Sequence, residues 1–205
     1  MLIYFHRESV DSSLVFINNR FINGSRALVK ENASIKTDIL EIRNNQFLNQ
    51  GYSILTFKNI GSIVFEENTI KTNTNTFRGF QGGGVDSLSI CKNIVKVELT
   101  EGFFIDTYSK TIFMTNNYIS YKSLSFKRLH LINPGNEFYC YYNTIVVSGD
   151  NPVSNIFYTN SSSHHIFEIK NNVAVNLAKG LVFYFPSDIT SYISNHNNLF
   201  TNGEQ

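Results

Sequence analysis

Arg78 and Arg128 each lie fifteen residues before an asparagine that closes a short apolar alternation, and Glu101 falls near the same place in the stretch between them. Lys127 and His130 flank Arg128, and Tyr158 and Tyr184 fall at nearly the same offset further on. Cations beside aromatic rings suit an anionic ligand, which they hold by charge-assisted hydrogen bonds and ring contacts. Equally, an arginine near a glutamate is an ordinary solvated pair of little energetic weight. As a catalytic set, Arg78, Lys127 or His130 is the candidate base and Glu101 the candidate acid.

Other chemistry is less well supplied. The carboxylates Asp38, Asp86, Asp106, Glu137 and Asp188 do not recur at one offset in neighbouring units, so they do not converge as calcium ligands. His164 and His165 are adjacent in a serine-rich segment, which turns them to opposite faces if extended, and no metal site is expected. Cys91 and Cys140 lie two and three residues before asparagines two units apart, too far for a disulfide, and are expected as free, largely buried thiols. Gly82-Gly83-Gly84 is followed by neither a helix pattern nor a Lys-Ser/Thr pair, and reads as a flexible turn rather than a phosphate cradle. No cofactor is implied.

What positions these residues is a repeat. Leu40-Glu41-Ile42-Arg43-Asn44-Asn45-Gln46-Phe47 is echoed along the whole chain, with its second asparagine recurring as Asn19, Asn45, Asn68, Asn93, Asn117, Asn143, Asn172 and Asn198, at intervals of 23 to 29 residues. The residues five and three before each asparagine and two after it are nearly all apolar, ending with Ile193, Asn195 and Phe200 around Asn198. Spacing of two is the strand period, and self-similarity at this length marks stacked coils. Asparagine suits the bend between strands because it enters the left-handed region readily and bonds locally, and stacked amides form a ladder. The reading is an all-β, single-stranded parallel β-helix of about eight coils, right-handed by the crossover rule.

The same spacing fits a leucine-rich repeat, whose connecting segments would be helical. Here they read Gly-Phe-Phe-Ile-Asp (102 to 106) and Leu-Val-Phe-Tyr-Phe (181 to 185), which are strand residues. The polar runs are read as loops: 30 to 38, 71 to 76, 122 to 134, 148 to 154 and 160 to 165. The whole chain, 1 to 205, forms one domain. Both ends look like interior coils, so flanking domains or another chain are expected to cap them, and the chain is expected to be part of a longer protein.

A net charge of +1 argues for neither nucleic acid nor an anionic surface, and no uninterrupted apolar run is long enough to cross a membrane. The absence of tryptophan counts modestly against a sugar platform.

The units at 42 to 47, 113 to 119 and 169 to 173 resemble the repeats of right-handed β-helix proteins of the pectate-lyase-like superfamily. The stretches 77 to 87 and 195 to 200 resemble uncharacterised β-helix domains of gut-bacterial surface and polysaccharide-handling proteins. The resemblance implies an extracellular or cell-surface module that binds or presents polysaccharide, with Arg78, Glu101, Arg128, His130, Tyr158 and Tyr184 as binding residues. A polysaccharide lyase or hydrolase, and a structural rod of an adhesin or phage fibre, are the alternatives it leaves open, since all three share these repeats.

Overall fold

The computed structural model describes residues 2–5, 12–30, 36–123, 129–133, 136–158, 166–185 and 191–202. Among them every regular element is a strand, every strand pairing is parallel, and there is no helix, which removes the leucine-rich horseshoe. The strands coil into a solenoid with three faces. The face leading into each ladder asparagine stacks Ser13–Ile17, Thr37–Arg43, the end of Ser53–Glu66, the end of Thr69–Cys91, Thr111–Thr115, Glu137–Tyr141, Ile166–Lys170 and Tyr192–Asn195. A second face follows the asparagine, from Arg20–Ile22 to Asn198–Thr201. The third runs from Ile3–Phe5 to Leu181–Tyr184.

The predicted apolar positions fill the lumen. Leu40, Ile42 and Phe47 are buried, as are Ile63, Phe65 and Ile70, and so on through Phe167, Ile169 and Ala174. Coil stacks on coil in register, so like meets like: the Phe21 and Phe47 rings lie parallel at 4.8 Å, and Phe47 stacks on Phe65 at 5.7 Å. Such continuous burial is the main stabilising term of a fold whose coils touch only their neighbours.

The ladder is continuous and polar. The backbone N–H of each asparagine donates to the Oδ1 of the next coil's asparagine at 2.8–2.9 Å, from Asn19 through Asn45, Asn68, Asn93, Asn117 and Asn143 to Asn172. Each Nδ2 donates to the same oxygen at 2.9–3.2 Å. The last member is Asn197, not Asn198. Sequence spacing selects Asn198 because Ile193 and Phe200 are apolar, but the register places Tyr192 beside Phe167, Ser194 beside Ile169 and Leu199 beside Ala174. A one-residue slip exchanges inside and outside. Ile193 and Phe200 therefore take outward register positions, and Ser194 Oγ accepts a hydrogen bond from Asn197 Nδ2 at 3.0 Å. Eight amides mark seven full turns.

The two properties expected of one asparagine are divided between neighbours. The left-handed residue is the one before the ladder position: Asn18, Asn44, Glu67, Lys92, Asn116, Tyr142, Asn171 and His196, with φ between 53° and 59°. The ladder asparagine itself supplies only the amide.

Two polar segments are strand rather than loop or turn. Residues 71 to 76 lie inside Thr69–Cys91, in register with 96 to 101, with Lys71 and Asn73 outward and Thr72 buried, its Oγ1 donating to the Gln50 carbonyl at 2.7 Å. The glycine triplet belongs to the same strand. Gly82 has φ 153°, and a methyl group there would overlap the Phe57 carbonyl of the coil below, so close approach of backbones is what requires glycine. The expected loops at the other polar runs fall partly on strands, with Lys30, Thr37, Lys122, Ser123, Leu129 to Asn133, Ser148 and Gly149 in sheet. Residues 160 to 165, with His164 and His165, lie outside the described residues.

Candidate functional site

The residues with candidate chemistry sit on the third face, and its register decides which of them meet. Arg26, Ser53, Arg78 and Phe103 occupy successive rungs of one register column, Ser53 buried and the other three half-buried. One residue beyond the Gly102–Leu129 pairing, His130 takes the next rung, followed by Asn155 and Leu181. Arg78 therefore shares its column with His130, not Arg128. Counting back from the asparagine fails here because the path from this face to the next ladder position shortens by one residue per coil, from fifteen at Arg78 to fourteen at Phe103 and thirteen at His130. Arg128 and Lys127 lie outside the described residues.

Tyr158 and Tyr184 do not continue the arginine column either. They belong to a parallel one that contains Thr56, Gln81, Asp106 and Asn133. Their rings stack at 5.7 Å with 4° between planes, forming a two-ring outward step with Tyr184 exposed.

The arginine column forms a compact site. The Arg78 guanidinium lies over the Tyr52 ring at 5.5 Å and over the Phe103 ring at 5.6 Å, and Arg26 covers Tyr52 at 5.1 Å. Cation and ring thus alternate along the axis, an arrangement that fixes the guanidinium plane through its faces and leaves its edge for hydrogen bonding. Among the described residues that edge has no side-chain or backbone acceptor, and Nε is buried without a partner. The edge adjoins a recess of about 210 Å³ lined by Thr76, Arg78, Glu101, Gly102 and Phe103. Thr76 Oγ1 donates to Glu101 Oε1 at 3.4 Å, which anchors the carboxylate at one wall. Gly102, which lines the recess, approaches Phe77 so closely that a methyl group there would overlap the Phe77 carbonyl.

Tyr52 and Phe103 escaped the sequence reading. Their signal was available as a 25-residue step either side of Arg78, which lands on Ser53 and Phe103.

Asp86 is held by Lys36 and Lys110, each at 2.6 Å, and hydrogen bonds from Lys110 and then Lys36 draw its carboxyl down to about 2. Among the described residues no group of three or more His, Cys, Asp or Glu side chains is arranged to hold a metal ion. Cys140 is buried in the lumen, which pushes its thiol far above the ordinary range, while Cys91 faces outward, half-buried, and accepts a hydrogen bond from Thr115 Oγ1 at 3.2 Å. The thiols are free, but only one is fully buried. The odd position out follows from parity, since Cys91 is two residues before its asparagine and Cys140 three.

The fold and its ladder define a parallel β-solenoid. No family model, curated protein or solved structure matches the chain. Among the described residues no helix is long and apolar enough to cross a membrane.

Proposed function

We propose that the solenoid is a module of an extracellular or cell-surface bacterial protein that binds or presents acidic polysaccharide along its third face. The observation that carries this reading is Arg78: a guanidinium between two rings, lining a recess, with no hydrogen-bond acceptor for its Nε among the described residues. A buried donor left unmade costs about 1–3 kcal/mol, which a carboxylate or sulfate from a ligand would recover. Tyr52 and Phe103 offer ring surface beside the cation, and Glu101 offers an acceptor for sugar hydroxyls. The stacked Tyr158 and Tyr184 extend the face further along the axis. The repeats' likeness to pectate-lyase-like β-helices supports the choice of polysaccharide.

Titrating the protein with polygalacturonate, alginate and neutral dextran tests it. Saturable binding of the acidic polymers that Arg78→Ala removes supports the proposal, while absence of binding favours a structural rod. Appearance of unsaturated ends in the ultraviolet, or of new reducing ends, would instead assign lyase or hydrolase activity.

A further inference from the structure

The second face carries a cleft of about 650 Å³ that shares no residue with the Arg78 recess. Lys71 and Lys96 occupy adjacent rungs of one outward column, between Leu48 below and Ser120 above. Two residues further along the strands a second column holds Asn73, Glu98, Lys122 and Ser148. All of these line the cleft, together with Asn49. Adjacent rungs are roughly 4.8 Å apart, so the three ammonium groups rise across three coils within about 10 Å of axis.

Like charges directly opposite on neighbouring strands repel, and proteins normally interleave acids between them. This protein does so elsewhere. Lys36 and Lys110 share Asp86, Arg43 pairs with Glu66 and Glu41, Lys92 with Glu66 and Glu67, Lys170 with Glu168, and Lys179 with Asp150. Among the described residues the three lysines of the cleft face a single carboxylate, Glu98, and none of the four makes an ion pair. The uncompensated charge sits in a concavity, where field lines concentrate.

We infer that this cleft is a binding site for an extended oligoanionic glycan, one bearing carboxylate or sulfate groups that Lys71, Lys96 and Lys122 meet in succession. Its volume lies in the range of ligand sites that hold several sugar-sized units and exceeds what one small oxyanion fills. Asn49, Asn73, Ser120 and Ser148 line the cleft beside the cations as hydrogen-bonding groups for hydroxyls. A nucleic acid is disfavoured because, among the described residues, no aromatic side chain lines the cleft to stack a base.

The inference stands apart from the Arg78 reading, and the test separates them. Wild type, Arg78→Ala, and the triple variant Lys71→Ala, Lys96→Ala, Lys122→Ala are titrated at low salt with polygalacturonate, dextran sulfate, neutral dextran, oligothymidylate and inorganic phosphate. All three lysines are exposed, so the triple variant retains the wild-type circular dichroism spectrum. The expected result is saturable binding of one or both acidic glycans, weakened at least about tenfold in the triple variant as charge-assisted hydrogen bonds are lost. A shallower salt dependence accompanies the loss, and a component of binding survives Arg78→Ala. Preference for polygalacturonate assigns carboxylate recognition, and preference for dextran sulfate assigns sulfate. Unchanged glycan affinity in the triple variant overturns the site, as does loss of all binding in Arg78→Ala alone. Equal binding of neutral dextran, tighter binding of oligothymidylate, or phosphate binding as strong as either polymer overturns the assigned ligand.

Discussion

Replacing Asn117 by alanine removes the centre of the amide ladder. Its Oδ1 accepts from the Asn93 backbone N–H and from Asn93 Nδ2, both at 2.9 Å. Its Nδ2 donates to the carbonyls of Ile90 at 2.9 Å and Thr115 at 3.0 Å, and to Asn143 Oδ1 at 2.9 Å. Asn143 Oδ1 keeps the Asn117 backbone donor in the variant, and Asn93 Nδ2 keeps the Phe65 carbonyl. Two buried groups are left without those partners, the Asn93 N–H and the Ile90 carbonyl. At about 1–3 kcal/mol apiece the expected loss is about 2–6 kcal/mol, a large share of the whole stability of a single domain. In urea, with a slope of about 2 kcal/mol per molar, the midpoint falls by about 1–3 M. Asn116→Ala is the matched control, since this exposed neighbour has φ 56° and lies outside the ladder, so only the left-handed backbone cost of about 1 kcal/mol is added. Asn19→Ala, at the end of the stack, is expected to cost less than Asn117→Ala because no other asparagine donates to its Oδ1 among the described residues. A loss below about 1 kcal/mol for Asn117→Ala, or a larger loss for Asn116→Ala, would refute the claim that the amide column holds the coils together.

Gly82→Ala is expected to lower the melting temperature by more than any exposed alanine substitution, because the added methyl must displace the Phe57 carbonyl; scanning calorimetry shows it. The Asp86 pair with Lys36 and Lys110 has a depressed folded-state pKa, so its contribution is complete above the unfolded carboxyl value near 4 and disappears as pH falls to about 2. Asp86→Asn should accordingly separate from wild type in thermal melts at pH 5 and converge with it near pH 2. Arg78→Lys keeps the charge but not the planar fork, so binding of acidic polymer in a titration should weaken nearly as much as in Arg78→Ala. With an aromatic disulfide reagent, Cys91 should react in the folded protein and Cys140 only after unfolding.

The lumen and the ladder were legible because parallel strands in register repeat the same inside positions, and only the coil at Asn197 misled, where Ile193 and Phe200 imitate inward residues but lie one place out of register. The third face was less legible. Its offset from the asparagines varies from coil to coil, falling from fifteen at Arg78 to thirteen at His130, enough to put Arg128 where His130 belongs and Tyr158 beside Arg78 rather than Gln81. Lys71 to Thr76 looked like a loop because polarity was weighed above parity. Alternation of outward Lys71 and Asn73 with buried Thr72 is a strand pattern in which threonine substitutes for an aliphatic residue, satisfied by a carbonyl of the coil below.

The division of work at each bend has an evolutionary consequence. Because the amide that stitches coils together and the left-handed residue that precedes it are different positions, the side chain of the latter has no part in the amide ladder. It is exposed in all eight instances, as asparagine, glutamate, lysine, tyrosine or histidine. One longitudinal edge of the rod is thus a column of interchangeable side chains, where mutation can rewrite surface chemistry at a fixed pitch for no more than a small conformational penalty per site.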